Sequence, residues 1–182
     1  MKDIRKNLVY PALVGAAYAT LTMVLAPISY GGVQLRVSEV LCLLPFFLPE
    51  TAVGLFVGCA LANTISTAGL LDIVFGSLAT LTAALLTAAA GRRWREENIS
   101  TPPTLKRSLL AIAPPVVCNG VIVGVVLAYA FTPEAFWPGF ALFGAQVAAG
   151  ELAVMLVLGL PMMRLMPRLL RQLATGKGSV TP

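Results

Sequence analysis

Eight ionisable or amide side chains stand within or beside long apolar stretches of this 182-residue chain. Where an apolar stretch crosses a membrane, an ionisable group is costly and by default indicates a functional role. Carboxylates and guanidinium groups form charge-assisted hydrogen bonds, and amides both donate and accept, so the set suits recognition of a polar ligand. The candidate substrate-binding residues are Gln34, Arg36, Glu39, Asn63, Asp72, Asn119, Gln146 and Glu151.

These candidates come from different apolar segments of the chain. Arg36 and Glu39 open the second segment, Asp72 opens the fourth, and Glu151 lies near the middle of the sixth. A dry helix bundle has little reason to carry so many polar groups, because each must find a partner away from water. The pattern predicts a polar pocket in the outer half of the membrane.

Each candidate also has a simpler interpretation. An Asn or Gln in a membrane helix often bonds a neighbouring helix. Arg36 and Glu39 are three residues apart and could form an ion pair at a helix start, which could also brace a pocket wall. Glu151 could serve as a proton relay, although no His, Lys or Arg stands with it at that depth. The sequence leaves these alternatives open.

The elements that carry these residues are membrane helices. Hydrophobic residues make up 58% of the chain and charged ones only 12%, whereas about a quarter of a soluble domain is charged. About 20 residues at 1.5 Å each cross about 30 Å of hydrocarbon. The prediction is an all-α, polytopic membrane protein, one domain over residues 1–182, with six spans at about 8–28, 37–48, 51–67, 71–90, 108–131 and 137–161.

Basic residues orient these spans. They fall in three clusters, and six crossings place all three on one side, which the positive-inside rule makes cytoplasmic. Both termini are then cytoplasmic, with a cytoplasmic loop at 91–107, a disordered tail at 175–182 and Arg36 alone outside. The net charge of +5 is therefore a topology signal and not a sign of nucleic-acid binding. The clusters are Lys2, Arg5 and Lys6; Arg92, Arg93, Arg95, Lys106 and Arg107; and Arg164, Arg168, Arg171 and Lys177.

The second segment, 37–48, is too short to span alone. As an α-helix it would cover about 18 Å, and Pro45 and Pro49 bracket its end, which favours a broken or tilted element. Irregular backbone at membrane depth is tolerated only where protein or a water-filled cavity surrounds it. The sequence therefore predicts a cavity beside this segment.

Signatures of catalysis and of metal binding are missing. The chain has no histidine, no nucleotide-binding G-x-x-x-x-G-K-[ST] loop and no H-E-x-x-H motif. Cys42, Cys59 and Cys118 lie in apolar segments without a C-x-x-C pair, which is typical of buried small hydrophobic residues. We expect no enzyme activity, no metal and no cofactor, and ATP-driven transport would need a separate ATPase.

The first apolar segment carries a face of small residues. It is predicted to be a retained helix, because its apolar core is too long for a signal peptide and no clean cleavage site follows. Ala12 and Ala16 are spaced four apart, as are Gly15 and Ala19, and such faces allow close helix approach. The face could pack inside the chain or against a separate membrane subunit.

Three stretches resemble the queuosine-precursor transporter family (QueT), which are substrate-binding S components of energy-coupling factor (ECF) transporters. They are "YGGVQLRVSEVLCLLPFF", "GLFVGCALANTIS" and "GLLDIVFGSLATLTAALLT", and the likeness is close over about residues 8–90 and looser over the last two helices. The most specific parts are "Q-x-R-x-S-E" and "LLDIVFGSLAT".

The resemblance implies a six-helix S component in the bacterial plasma membrane, with an outward-opening ligand pocket. It also implies a membrane-embedded coupling (T) subunit and two cytoplasmic ATPase subunits as partners. Ala12 and Ala16 would then form the face that docks on the coupling subunit, and the whole S component would topple in the membrane during transport.

The ligand that the resemblance implies is a 7-deazaguanine, either queuine or a precursor such as 7-aminomethyl-7-deazaguanine. A carboxylate of Glu39, Asp72 or Glu151 could accept from N1–H and the 2-amino group, and an aminomethyl cation would need a second acid. Asn63, Asn119, Gln146 or Gln34 could serve its acceptors, and Tyr30, Phe136 or Trp137 could stack on the ring. Two alternatives remain: an S component for a different vitamin-like ligand, and a self-sufficient secondary transporter, which usually shows internal repeats that we do not see.

Overall fold

The computed structural model describes residues 8–30, 34–97 and 101–175, and this part of the chain contains helices and no strand. The all-α class is therefore confirmed for the described residues. Predictions about both chain ends concern residues outside those ranges. The six apolar helices are α1 (Tyr10–Val24), α2 (Val37–Phe46), α3 (Thr51–Ile65), α4 (Asp72–Glu97), α5 (Leu105–Phe131) and α6 (Pro133–Gln172), and a short helix, Ala26–Ser29, follows α1.

Three of these helices are long and apolar enough to cross a membrane. They are α4, α5 and α6, with 26, 27 and 40 residues. The others are shorter, with 15 residues in α1 and 10 in α2. Each of the six predicted spans overlaps one helix, while the number of crossings and the side of each terminus stay predictions.

Helix α2 is the irregular element that its prolines predicted, and it is continuous. All ten residues form a 3₁₀-helix with Pro45 inside it. A 3₁₀-helix rises about 2.0 Å per residue and seldom exceeds four residues, so this run is unusual. The guanidinium of Arg95 donates to the carbonyl oxygens of Pro45 (3.3 Å) and Phe46 (2.5 Å) at its end. These bonds satisfy carbonyl groups that a helix end leaves without partners.

Helices α1 and α3 pack backbone against backbone through glycines. A Cβ built on Gly15 would lie 2.6 Å from the carbonyl oxygen of Gly54, and one on Gly58 would overlap the carbonyl of Gly15. Any side chain there would force the helices apart. The row that begins at Gly15 is thus used inside the chain, while Ala12 and Ala16 stay exposed.

The loop predicted at 91–107 is shorter than the sequence suggested. Helix α4 continues to Glu97, supported by ion pairs between Arg92 and Glu96 and between Arg93 and Glu97, four residues apart. The indole of Trp94 is buried against Phe46 and Phe47, which fixes this polar turn on the core. Helix α5 begins at Leu105. Hydropathy marks where a helix leaves hydrocarbon and does not mark where it ends.

Each long helix contains one π-helical turn. The turns are Asp72–Gly76 in α4, Asn119–Val123 in α5 and Met155–Gly159 in α6. Such turns occur frequently at functional sites, since they change the direction in which side chains leave the helix. Two of them begin at candidate residues, Asp72 and Asn119, and the third begins four residues after Glu151.

Candidate functional site

Two adjoining cavities lie between α2, α5 and α6, and they share Gln34 and Val147. The outer cavity has a volume of about 170 Å³ and the inner one a volume of about 10 Å³, which is room for about one water molecule. The residues around the outer cavity are Tyr30, Gln34, Thr67, Leu127, Phe131, Phe143, Gln146 and Val147. Those around the inner cavity are Gln34, Arg36, Glu39, Asn119, Val123, Val147 and Glu151.

The structure brings most of the predicted residues together. Six of the eight candidates line these two cavities: Gln34, Arg36, Glu39, Asn119, Gln146 and Glu151. The remaining two, Asn63 and Asp72, are buried behind Arg36. The cavity predicted beside the short second segment is therefore present. Glu39 of α2 and Arg36, the residue before α2, supply two of its polar side chains.

Arg36 pairs with Asp72 across the fold. Its Nη2 lies 3.2 Å from Oδ2 of Asp72, and both side chains are buried. The guanidinium also lies over the ring of Tyr30, 5.0 Å from the centroid, a cation–π contact. No ion pair joins Arg36 to Glu39 among the described residues, so the local pair considered from the sequence is replaced by one between α4 and the start of α2.

Hydrogen bonds of Asn63 connect α3 with α4 and with Tyr30, the residue after the short helix Ala26–Ser29. Its Nδ2 donates to the carbonyl oxygen of Asp72 at 2.8 Å, and its Oδ1 accepts from the hydroxyl of Tyr30 at 3.3 Å. The side chain is fully buried. These bonds match the interhelical role that an amide often plays in a membrane bundle. Asn63 thus acts on the cavities through Tyr30, which lines the outer one.

Glu39 is held from behind by two hydrogen bonds. Its Oε1 accepts from the buried hydroxyl of Tyr18 on α1, and its Oε2 accepts from Sγ of Cys42 at 3.0 Å. One turn away, Thr22 and Ser38 share a hydrogen bond of 2.6 Å between the same two helices. Two donors fix the carboxylate in one orientation at the cavity wall, so Glu39 is preorganised as an acceptor.

Glu151 and Arg36 carry buried polar atoms that lack a hydrogen-bond partner in the described chain. They are Oε1 of Glu151 and Nε of Arg36, and both residues line the inner cavity. The side chain of Asn119 lies beside the Glu151 carboxylate. More than 90% of buried polar groups are paired, and leaving one unpaired costs about 1–3 kcal/mol. Unpaired donors and acceptors around one cavity are what a polar ligand would satisfy.

The aromatic residues of the site differ from the predicted ones. Tyr30 lines the outer cavity as proposed, but Phe136 and Trp137 do not. Trp137 is 74% exposed, which suits a residue at the membrane interface. The other two aromatic walls are Phe131 and Phe143.

Sequence reasoning missed two residues of the site for different reasons. Phe143 lies eight residues before Glu151, hence on the same face of α6, so helical spacing could have identified it. Tyr18 reaches Glu39 only because α1 packs against α2, and no local pattern indicates that contact.

The buried ion pair gives a stability prediction. Replacing Asp72 by Asn removes the carboxylate that the buried guanidinium of Arg36 contacts at 3.2 Å, and breaking such a buried pair costs about 3–5 kcal/mol. We expect a large drop in the melting temperature of D72N. The matched control is E97Q, which breaks the exposed pair with Arg107 at 2.6 Å and should change the melting temperature little. Equal melting temperatures for both variants would contradict the role given to Asp72.

Comparison with known proteins places this chain among transporters. A family model described as QueT transporter matches residues 8–168, well over half of the chain. A relative from Lactococcus lactis subsp. cremoris (strain MG1363), named "Queuosine precursor transporter QueT", is 39% identical over 77 residues, which cover 41% of this chain and 45% of the relative. The match therefore spans less than half of that relative's length. No solved structure matches the chain.

The family match and the helices agree on the class of protein. Three helices are long and apolar enough to cross a membrane, and the matching family is one of transporters and not of enzymes. The protein is a multi-pass protein of the bacterial plasma membrane. It belongs to the QueT transporter family.

Proposed function

We propose that this protein is the substrate-binding S component of an ECF importer and captures a queuosine precursor, a 7-deazaguanine, from outside the cell. The observation that carries the proposal is the inner cavity, where Nε of Arg36 and Oε1 of Glu151 are buried without partners. Family membership supports transport, and the name of the Lactococcus relative supports the class of ligand.

The inner cavity offers the groups that a guanine-like edge requires. In the proposed pose, the ring lies in the outer cavity and its guanine edge enters the inner cavity, which widens on binding. The carboxylate of Glu151 then accepts from N1–H and the 2-amino group of the ligand, a bidentate, charge-assisted arrangement. The free N–H of Arg36 donates to O6. Asn119, beside Glu151, has both a donor and an acceptor for a ring nitrogen.

Charge favours a cationic ligand over a neutral one. Three buried carboxylates, those of Glu39, Asp72 and Glu151, surround one buried guanidinium, that of Arg36. A buried charge without a counter-charge is expensive. The ammonium group of 7-aminomethyl-7-deazaguanine or of queuine would reduce this excess, and Glu39, fixed by two donors, is the acid that we assign to it.

The outer cavity suits the flat ring and its entry. Tyr30, Phe131 and Phe143 provide aromatic surfaces on which a heterocycle can stack, and base–aromatic stacking contributes about 1–3 kcal/mol. Gln34 and Gln146 line the same cavity and can bond polar substituents on the ring. We assign the outer cavity as the path from the outer face to the inner cavity.

The partners in this proposal are a membrane-embedded coupling (T) subunit and two cytoplasmic ATPase subunits. The exposed Ala12 and Ala16 lie on a shallow groove between α1 and α3, together with Val53, Val57 and Leu61. Small residues let a foreign helix approach closely. With six crossings and both termini cytoplasmic, the inner cavity lies in the outer half of the membrane.

A ligand panel tests the proposal on the purified full-length chain. We expect 7-aminomethyl-7-deazaguanine to raise the melting temperature, because a ligand that binds only the folded state stabilises it by mass action. The neutral 7-cyano analogue should raise it less, and riboflavin, thiamin and biotin should not change it. Stabilisation by a vitamin and by no deazaguanine would replace the ligand assignment while keeping an S component. Uptake by the chain alone, without ATPase subunits, would favour a secondary transporter instead.

A further inference from the structure

The last helix is much longer than a membrane crossing needs. Helix α6 has 40 residues, about 60 Å at 1.5 Å per residue, against about 30 Å of hydrocarbon. If the exposed Trp137 marks the outer interface, the core is crossed by about residue 157. With both termini cytoplasmic, as in the proposed topology, the segment from residue 160 to residue 172, here named the basic segment, lies at the cytoplasmic interface and beyond it.

One face of the basic segment packs against the rest of the protein. Met163 is fully buried, and Met162, Met166 and Leu170 pack against the same core cluster, which also contains Trp94. This packing holds the segment on the cytoplasmic end of the bundle. Its orientation is fixed by the fold, so its opposite face is presented in a defined direction.

The opposite face combines arginines with leucines. Arg164 and Arg168 are exposed, and Leu165 and Leu169 are 52% and 49% exposed. At about 100° per residue, the arginines lie within about 40° of each other and the leucines start about 60° further round. The face is therefore basic on one side and apolar on the other, the pattern of a helix that lies in a membrane interface.

We propose that the basic segment binds anionic phospholipid of the cytoplasmic leaflet. With α6 tilted by about 40°, the hydrocarbon core ends near residue 163, so Leu165 and Leu169 contact the boundary between headgroups and acyl chains. The guanidinium groups of Arg164 and Arg168 bind the lipid phosphate. The planar guanidinium matches phosphate oxygens in pairs. The cytoplasmic leaflet carries a negative surface potential that favours such contacts by about 1 kcal/mol for each basic residue.

Charge pairing distinguishes this cluster from three other arginines on that side. Arg92, Arg93 and Arg107 each pair with a glutamate on the protein itself. Among the described residues, no ion pair involves Arg164 or Arg168. An external anion is the partner that remains, and exposed leucines at the same level favour a lipid over a soluble phosphate.

The test compares lipids and charge variants of the full chain in detergent. We expect phosphatidylglycerol to raise the melting temperature by about 4 °C, and phosphatidylcholine with the same acyl chains to have little effect. R164Q/R168Q should lose most of this shift. The matched control R92Q/R93Q removes the same charge from the same side and should keep it. Glycerol phosphate, which lacks acyl chains, should give no shift.

A second readout keeps the proposal falsifiable if the charge variant purifies poorly. Native mass spectrometry should show phosphatidylglycerol retained by the parent chain and lost from L165S/L169S. Three results would each overturn the proposal. Phosphatidylglycerol could shift the melting temperature of R164Q/R168Q as much as that of the parent chain, or R92Q/R93Q could lose the shift as fully as R164Q/R168Q. Phosphatidylcholine could also shift the melting temperature as much as phosphatidylglycerol does. None of these readouts involves a deazaguanine, so the outcome is independent of the proposed substrate.

Discussion

E151Q is expected to weaken binding of 7-aminomethyl-7-deazaguanine by about 100-fold or more, because it removes a charged acceptor from two ligand donors at about 1.5–3 kcal/mol each. The empty protein should not be destabilised. Oε1 of Glu151 is buried without a partner, and a neutral amide of similar size costs less to bury than a carboxylate. Calorimetric titration and thermal melting of the same samples measure both effects.

The opposite signs of these two effects separate a ligand group from a structural one. A residue that braced the bundle would lose stability and binding together. E134Q, at an exposed position in the first turn of α6, is the matched control and should change neither quantity. Unchanged affinity in E151Q would remove Glu151 from the site, and a large fall in its melting temperature without ligand would mean that its main role is structural.

Replacing Ala12 and Ala16 together by Trp is expected to abolish uptake and to leave ligand binding unchanged. Both residues are exposed and line the groove between α1 and α3. Bulky side chains there would keep a partner helix from the backbone of α1. They should not disturb the inner cavity, since the face of α1 that holds Tyr18 against Glu39 is the buried one. Uptake in cells with the complete transporter and calorimetric binding to the purified chain measure the two effects.

The control for this variant is another residue on the same helix. L13W adds the same ring at a position that is 68% exposed outside the groove, so it should keep both uptake and binding. Normal uptake by A12W/A16W would refute the docking role. Loss of binding as well as uptake would show that the substitutions damage the fold.

The sequence was sufficient to predict the features that depend on local pattern. Apolar length and sparse charge predicted an all-α membrane protein, and the proline pair around 45–49 predicted an irregular short helix beside a cavity. Ionisable and amide residues within the apolar segments were few, so selecting Arg36, Glu39, Asn119 and Glu151 required no knowledge of packing. These four now line one cavity.

The features that pattern could not predict depend on how helices face each other. The partner of Arg36 is Asp72, 36 residues away, whereas spacing along the chain pointed to Glu39. Which small residues of α1 face inward follows from the glycines of α3, since Gly15 meets Gly54 and leaves Ala12 outside. Hydropathy also could not predict where a helix ends in water. The last, polar turns of α4 are stabilised by ion pairs and by the buried Trp94, and not by apolar length.

Calorimetric titration of the purified chain with 7-aminomethyl-7-deazaguanine tests the assignment of the cavity most directly. The inner cavity offers one set of unpaired groups, so we predict saturable binding of one ligand per chain. Binding should be weaker for the uncharged 7-cyano analogue, and weaker by about 100-fold or more in E151Q. Absence of binding to the folded parent chain, or binding with the same affinity in E151Q, would contradict a deazaguanine site built on Arg36 and Glu151.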